Sequence, residues 1–420
     1  MLFNIAAVVG IRWLAAAAQA GSGSITLWVL AAVLFFVPSA LAVATLSIRY
    51  PDEGGIYVWT KRGCGEWHGF LCGWCYWLSN LFFFPNLVLA GVSMAGYSLG
   101  LAENKAWALG ASLAILWAAL LANVVKLEVG RWVNNLGGMA TYAAGALIIA
   151  AGALAWARGT PATPLRLAPD WDLGKLNFWS QIAFAFGGLE LGAVMGGEIR
   201  NPARNLPRAA WISGLAIAAF YILGTLGMLA LLPPGRIGIM NGLVEAGQAA
   251  GAHAGPWLAW TLTALVLAGV VGQLGAWVGG SARLPFVIGL DHYLPPAFAR
   301  LHPRWGTPYV SILAQGAACT AFLLALQAGA NLRTAYQLLV DMTVITYFIP
   351  FLYLFLVAWR HGRRWSAASG LGVTALAIVF SAIPPENSGP AWLFGLKLAG
   401  GCALLMGAAR IVFLTANRRA

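Results

Sequence analysis

Three ionisable residues lie inside long apolar stretches of this sequence. Arg12 follows a glycine, Glu190 follows the pair Gly187-Gly188, and Asp341 occupies a third apolar run. In a bilayer such a charge costs about 2.5 to 3.5 kcal/mol even on the scale from insertion experiments, so it faces a cavity or a partner. A carboxylate can carry a proton. An arginine keeps its proton at physiological pH and can bind a carboxylate through two parallel hydrogen bonds.

The composition places these residues in a membrane. Of 420 residues, 60% are hydrophobic and 9% are charged, too little polar surface for a soluble globule. The apolar runs lack the alternation of barrel strands and predict an all-α integral membrane protein. Division at Pro, Gly and charged clusters gives about twelve transmembrane helices, here called spans 1 to 12, near 2–19, 25–48, 67–99, 106–125, 130–157, 178–198, 207–232, 256–290, 308–328, 334–359, 366–383 and 391–416.

The loop charges predict the orientation. With a cytoplasmic N-terminus, sixteen Lys and Arg residues flank the cytoplasmic side and six flank the other. Both termini are then cytoplasmic, and the formal charge of +12 requires no nucleic acid. Ala18-Gln19-Ala20 resembles a signal-peptidase site, but the segment lacks a basic start and contains Arg12. We therefore interpret it as span 1.

A helix-breaking glycine combined with an ionisable residue occurs in span 1 and again in span 6. Gly10-Ile11-Arg12 forms the first break, and Gly187-Gly188 precedes Glu190 in the second. An offset of five spans inverts the second unit relative to the first, as in many secondary transporters. The predicted division is therefore 1–157 for spans 1 to 5, 158–177 for an extracellular linker, 178–359 for spans 6 to 10, and 360–420 for spans 11 and 12.

Two facing breaks predict the shape of a substrate. A broken helix exposes N–H groups at one half-helix end and C=O groups at the other. An amino acid can satisfy both, because its carboxylate accepts hydrogen bonds and its ammonium donates them. Nine residues precede Gly10, about 14 Å of helix against a hydrocarbon core of about 30 Å, so the first break lies near mid-membrane.

The five cysteines predict no disulfide framework. Cys64, His68, Cys72 and Cys75 have the spacing of one helix face and could bind zinc or copper there. Gly63 and Gly65 favour a helix that begins after Cys64, and cysteine also packs as a small apolar residue. No metal site is therefore predicted.

Three stretches carry a family resemblance when taken together and in order. They are "RYPDEGGIYVWTKRGCGEWHGF" between spans 2 and 3, "FAFGGLELGAVMGGEIRNPARNLPRA" across span 6, and "GQLGAWVGGSARLPFVIGLDHYLPPAFARLHPRWGTP" from span 8 to span 9. Over its whole length the chain resembles the amino acid–polyamine–organocation permeases. The resemblance implies a five-plus-five inverted repeat with broken helices 1 and 6 and two C-terminal helices. It implies a proton-coupled or exchanging amino acid permease in the cytoplasmic (inner) membrane.

The resemblance also implies roles for matching residues. The span 1 break would cradle the substrate carboxylate, Phe184 would form an aromatic lid, and Trp277 would wall the site. Glu190 matches an acid tied to gating and pH response. The predicted substrate-binding residues are Gly10, Ile11, Arg12, Phe184, Phe186, Gly187, Gly188, Trp277 and Thr343. The predicted gating or proton-coupling residues are Glu190 and Asp341.

Arg12 departs from the family pattern, which usually has glycine there. It could pair with Glu190 or Asp341, bind a substrate carboxylate, or supply a fixed positive charge where other transporters bind a coupling ion. Some relatives carry a lysine on helix 5 for that last role, and residues 132–157 contain none. A coupled proton must therefore be carried by a carboxylate.

Several alternatives stay open at this point. The substrate is an amino acid or, alternatively, a polyamine or another organic amine. The coupling ion is a proton, with sodium as a second possibility, and the oligomeric state is open. A proton-conducting subunit would need a chain of ionisable groups, and an enzyme would need a nucleophile or metal cluster, so neither class is favoured. No cofactor is expected. Asp52 and Glu53 are expected to pair with arginines of "RNPARNLPRA" and close the cytoplasmic side.

Overall fold

The computed structural model describes residues 8–125, 127–168, 173–194, 201–255, 257–327, 332–384 and 391–417, and these contain helices and no strand. The helices of the first half are α1 (Arg12–Gln19), α2 (Ser24–Arg49), α3 (Ile56–Cys64), α4 (Glu66–Leu99), α5 (Lys105–Val125) and α6 (Leu127–Ala157). A π-helical turn, Ala32–Phe36, lies within α2.

Ten helices of the remaining described chain follow. They are α7 (Leu173–Ala185), α8 (Leu191–Val194), α9 (Pro202–Leu231), α10 (Gly242–Ala254), α11 (Trp257–Ser281), α12 (Arg283–Leu290), α13 (Tyr309–Gln327), α14 (Leu332–Arg360), α15 (Arg364–Ser381) and α16 (Ala391–Asn417). Helices α11 and α12 together form the candidate membrane span Trp257–Leu290.

The described helices match the predicted spans. Eight of them are long and apolar enough to cross a membrane, and they correspond to spans 2, 3, 4, 5, 7, 8, 10 and 12. Span 9 is the shorter apolar helix α13, and span 11 is α15. Span 6 is divided into α7 and α8, and span 1 is described from residue 8 onward. The predicted breaks therefore coincide with interruptions of the helices.

Two helices were absent from the prediction. Helix α10 lies between spans 7 and 8, and α3 lies between spans 2 and 3. The glycine pair before α3 allows a close backbone contact, because the Gly54 amide donates to the Val194 carbonyl at 3.1 Å. A Cβ atom at Gly55 would lie 2.8 Å from the Val194 nitrogen. The motif thus packs α3 against the end of α8.

Helix α4 is the most enclosed of the long helices. Of its most apolar stretch, 94% is buried within the protein, against 17% for α16 at the periphery. Helices α11 and α14 also contribute largely buried stretches, 67% and 72%. Helices α4, α11 and α14 therefore form the buried centre of the described bundle.

Candidate functional site

The hydroxyl of Tyr221, on α9, lies between the two interrupted spans. It accepts a hydrogen bond from the Gly10 amide at 3.1 Å, and it lies 3.1 Å from the carbonyl oxygens of Val8 and Ala185. A hydroxyl has one proton, so it donates to one carbonyl at a time. The Tyr221 ring is buried and stacks on Trp28 at 4.4 Å. One side chain therefore joins the backbone of both breaks.

The carboxylate of Glu190 lies beside the span 6 break and contacts three different spans. Its Oε1 atom accepts hydrogen bonds from the hydroxyls of Tyr76 at 2.8 Å and Tyr347 at 2.5 Å. Its Oε2 atom accepts one from the Gly188 amide at 3.2 Å. Glu190 is fully buried, and no basic residue of the described chain forms an ion pair with it.

Six buried aromatic residues next to Glu190 form what we call the aromatic cluster. Phe184 contacts Trp13 at a centroid distance of 5.6 Å and Tyr347 at 4.9 Å. Trp277 lies 5.2 Å from Phe83 and 6.3 Å from Tyr76. The cluster thus brings the predicted residues Phe184 and Trp277 together with Glu190. Its members are Trp13, Tyr76, Phe83, Phe184, Trp277 and Tyr347.

Glycine is required where the aromatic cluster meets the span 6 backbone. A Cβ atom at Gly187 would lie 2.5 Å from the Tyr347 ring. Gly188 has a φ angle of +111°, which side chains rarely adopt, and a Cβ there would lie 3.3 Å from Trp277. Both predicted glycines therefore allow the aromatic rings to lie directly against the interrupted backbone.

Arg12 lies at the start of α1, and its side chain packs against two aromatic rings. The guanidinium lies 4.3 Å from the Trp13 ring and 5.1 Å from the Phe83 ring. Arg12 is 5% exposed, and its Nε and Nη1 atoms have no hydrogen-bond partner. Of the three alternatives for Arg12, an ion pair with Glu190 or Asp341 is not formed in the described chain. The Glu190 carboxylate accepts hydrogen bonds from two tyrosines and from backbone.

Asp341, on α14, is fully buried and lies in a cluster of amides instead of beside Arg12. Its Oδ1 atom accepts hydrogen bonds from Asn177 at 3.1 Å and from Gln337 at 3.3 Å. Gln181 in turn donates to Asn177 at 2.8 Å. This cluster connects α7 and α14 and is a second place where a buried carboxylate has only neutral partners among the described residues.

Three predicted substrate-binding residues have other surroundings. Thr343 is buried, and its hydroxyl donates to the Leu339 carbonyl of its own helix at 2.6 Å. The Phe186 ring packs against Trp28 on α2, away from the aromatic cluster. Ile11 precedes α1 as its N-terminal cap residue and offers no capping side chain.

Ion pairs occur around α3, at the predicted cytoplasmic side. Asp52 pairs with Arg62 at 2.7 Å, and Lys61 pairs with Asp291 at 2.9 Å. Burial and a hydrogen bond to Asp291 raise the pKa of the Tyr57 hydroxyl well above its ordinary value.

Asp52 was expected to pair with arginines of "RNPARNLPRA". Because it pairs with Arg62 instead, that prediction is wrong for Arg204 and Arg208, the arginines of the motif that the structure describes. Glu53 lies 3.9 Å from Arg283, another basic residue outside that motif. Arg200, the first residue of the motif, lies outside the described chain, so a pairing with Arg200 stays a prediction.

The four Cys and His residues considered for a metal do not share one helix. Cys64 ends α3, whereas His68, Cys72 and Cys75 belong to α4. Within the described chain no three His, Cys, Asp or Glu residues are placed to bind a metal ion.

The sequence did not single out several residues that the fold adds to this site. Tyr347 lies one turn after Thr343, and Phe83 lies two turns after Tyr76, so helical spacing alone could have suggested those pairs. Tyr221 has no such signal, because α9 contains no charge or break near it.

Two interrupted helices that meet inside a multi-span bundle are the architecture of many secondary transporters. The crystal structure of MhsT in complex with L-phenylalanine has the same fold, with a TM-score of 0.60, 16% identity, and coverage of 99% of this chain and 97% of that one. The fold is the five-plus-five inverted repeat with two further helices. A family model described as "Amino acid permease" matches residues 1–392. The chain belongs to this family of multi-pass membrane transporters, within the amino acid–polyamine–organocation superfamily.

Proteins with similar sequences are also named as transporters. An uncharacterised transporter of Legionella pneumophila is 27% identical over 97% of this chain and 93% of its own length. An uncharacterised transporter of Mycobacterium tuberculosis is 29% identical over 76% of this chain and 69% of its own. A probable agmatine/putrescine antiporter of Lactococcus lactis is 23% identical over 72% of this chain and 66% of its own. The family is one of permeases, so the protein is a transporter and not an enzyme.

Proposed function

We propose that this protein moves an amino acid across the bacterial cytoplasmic membrane by alternating access, as a proton-coupled symporter or an exchanger. Both termini lie in the cytoplasm in this proposal. The observation that carries it is the meeting of the two interrupted spans at Tyr221, beside the glycine backbone and the aromatic cluster.

The polar ends of an amino acid fit the groups around the breaks. The Trp13 and Leu14 amides in the first turn of α1 already donate to the Gly10 and Ile11 carbonyls, which leaves the Ile11 and Arg12 amides at this helix end, where no side chain forms a cap. A substrate carboxylate can accept from these groups. Its ammonium can donate to the Val8 or Ala185 carbonyl that Tyr221 leaves free. The aromatic cluster would then cover the substrate side chain.

Glu190 is the group that we assign to proton coupling. A carboxylate offers about four acceptor sites and Glu190 uses three, so a proton added to Oε1 displaces or reverses a tyrosine bond, whereas a proton on Oε2 can take the fourth site. In both cases the loss of the negative charge weakens the remaining hydrogen bonds. A proton on Oε1 weakens the link to Tyr76 or Tyr347, and a proton on Oε2 weakens the link to Gly188. Protonation would therefore loosen span 6 from span 3 or span 10. Asp341 is the second candidate, with sodium as the alternative coupling ion.

An organic amine is the second candidate substrate. It is supported by the Lactococcus lactis relative, named as a probable agmatine/putrescine antiporter, and by two buried carboxylates that could attract a cation. Arg12 opposes this candidate, because a fixed positive charge close to the break repels a polyamine more than a zwitterion. We therefore place the amino acid first.

A binding screen with matched compounds tests the choice. Purified protein is heated with each amino acid, with its carboxamide, and with the amine that lacks the carboxyl group, at two pH values and with or without sodium. We expect an amino acid to raise the melting temperature and its carboxamide and amine to fail. Stabilisation by agmatine or putrescine alone would overturn the amino acid proposal. Uptake of the stabilising compound into liposomes that contain the protein would confirm transport.

A further inference from the structure

The Arg12 side chain lines a small cavity between α1, α4, α6 and α11. The cavity has a volume of about 10 Å³, which is room for one particle of roughly the size of a water molecule. Leu87, Gly91 and Val270 form part of its apolar wall. Its polar lining comes from Arg12, Thr141 and Gln273, each of which can donate a hydrogen bond, and no carboxylate lines it.

The positive charge at this cavity has no ionic partner in the described chain. Only 5% of the Arg12 surface is exposed, and its Nε and Nη1 atoms have no hydrogen-bond acceptor. The rings of Trp13 and Phe83 attract the guanidinium, yet a ring face neither neutralises the charge nor replaces the acceptors in its plane. A buried cation of this kind favours the arrival of an anion.

We propose that this cavity binds one small monovalent anion of halide size, with Arg12 as its principal ligand. Thr141 lies on the lining and can add a hydrogen bond from its hydroxyl, and Gln273 lies on the same lining. The positive charge excludes a metal cation. A carboxylate has three heavy atoms and needs more room than a single halide ion, which separates this anion from the carboxylate of the substrate. Chloride, slightly larger than water, is the abundant ion that fits this chemistry.

The location gives the anion a consequence for the transporter. Arg12 begins the helix that follows the span 1 break, so an anion at its guanidinium neutralises a charge next to that break. The inference is independent of the substrate and of proton coupling. We therefore expect chloride to stabilise the protein when no substrate is present.

The direct test compares chloride with a large anion. Purified protein without substrate is melted in sodium chloride, sodium bromide and sodium gluconate at equal ionic strength. We expect saturable stabilisation by chloride and bromide, lost in Arg12→Leu and retained in Arg158→Gln, which alters an exposed arginine at the end of α6. Equal melting temperatures of the wild type in chloride and gluconate would overturn the proposal and leave water in the cavity.

Two further measurements keep the proposal testable if Arg12→Leu does not fold. Thr141→Val removes one donor with little change of volume, and we expect it to raise the half-maximal chloride concentration several-fold. A crystal grown in bromide should show an anomalous peak next to Arg12. An unchanged half-maximal chloride concentration in Thr141→Val, together with no anomalous bromide peak next to Arg12, would overturn the proposed site. Stabilisation by carboxylate substrates, with no effect of chloride, would assign the arginine to the substrate instead.

Discussion

Glu190 shows how a single carboxylate can hold several helices together. The hydroxyls of Tyr76 and Tyr347 and the amide of Gly188 converge on it, from α4, α14 and the span 6 break. The acid could be predicted because a charge in an apolar run is costly. Its tyrosine partners could not, since the chain contains 51 aromatic residues and their pairing depends on how the helices pack.

Replacement of that acid tests the proposed proton coupling. We expect Glu190→Gln to flatten the pH dependence of substrate uptake into liposomes, because the amide keeps the shape and cannot gain a proton. Glu103→Gln, in an exposed loop, is the matched control and should keep the wild-type profile. An unchanged profile in Glu190→Gln would transfer the coupling role to Asp341 or to sodium.

Gly188 offers a second test at the level of one residue. Its φ of +111° and the nearby Trp277 ring leave no place for a larger side chain. We expect Gly188→Leu to abolish transport while the protein still inserts in the membrane. Gly110→Leu, an exposed position on α5 with open space around it, should transport normally. Full uptake by Gly188→Leu would exclude the span 6 break as the binding site.

The lack of a direct contact between Arg12 and Glu190 in the described chain changes what a double substitution should show. No hydrogen bond or ion pair joins the two side chains in the described chain. We therefore expect the destabilisations by Arg12→Ala and Glu190→Gln to add within about 0.5 kcal/mol. Thermal or chemical unfolding of the two single variants and the double variant measures this. A coupling energy well above that value would indicate an ion pair in another state of the transporter.

At the scale of the elements, the spans were predictable and their rotations were not. The predicted span 67–99 is α4 (Glu66–Leu99), and the predicted 25–48 is α2 (Ser24–Arg49), because charges and glycines end each apolar run. Helices α3 and α10 were missed because they are short and carry charged or small residues. The direction of Arg12 was also missed, since spacing along α1 does not determine which neighbours its side chain meets.

Tyr221 connects two elements that alternating access must move, and its hydroxyl is the testable part. We expect Tyr221→Phe to destabilise the protein by about 1 to 3 kcal/mol, because buried backbone groups at the breaks lose a partner. We also expect a lower maximal uptake rate with a smaller change in apparent substrate affinity. Tyr97→Phe, which alters an outlying tyrosine on α4, is the suitable control, whereas Phe220→Tyr is not. An uptake rate equal to that of the wild type would show that the bridge is dispensable.

At the scale of the whole molecule, the inverted repeat places both breaks in one region. The domain limits at residues 157, 177 and 359 stay a prediction. The α3 side of the molecule is held by charged contacts of Lys61 and Arg62 with Asp291 and Asp52. The Lys61–Asp291 pair connects the segment after span 2 with the segment after span 8, whereas the Arg62–Asp52 pair lies within the segment after span 2. We propose that they close the predicted cytoplasmic side in this conformation.

Native cysteines can report whether that side opens. Cys72 is fully buried behind α3, where Thr60 donates to its sulfur at 3.3 Å, while Cys64 at the end of α3 is partly exposed. We expect Asp291→Asn, which removes the charge paired with Lys61, to speed thiol labelling of Cys72 several-fold, as measured by mass spectrometry. Labelling of Cys64 is the internal control and should change little. Because Lys61 also meets Glu66 at 3.6 Å, Asp291→Asn with Glu66→Gln should label faster than either variant alone. Unchanged Cys72 labelling in the double variant would show that these ion pairs do not hold the side closed.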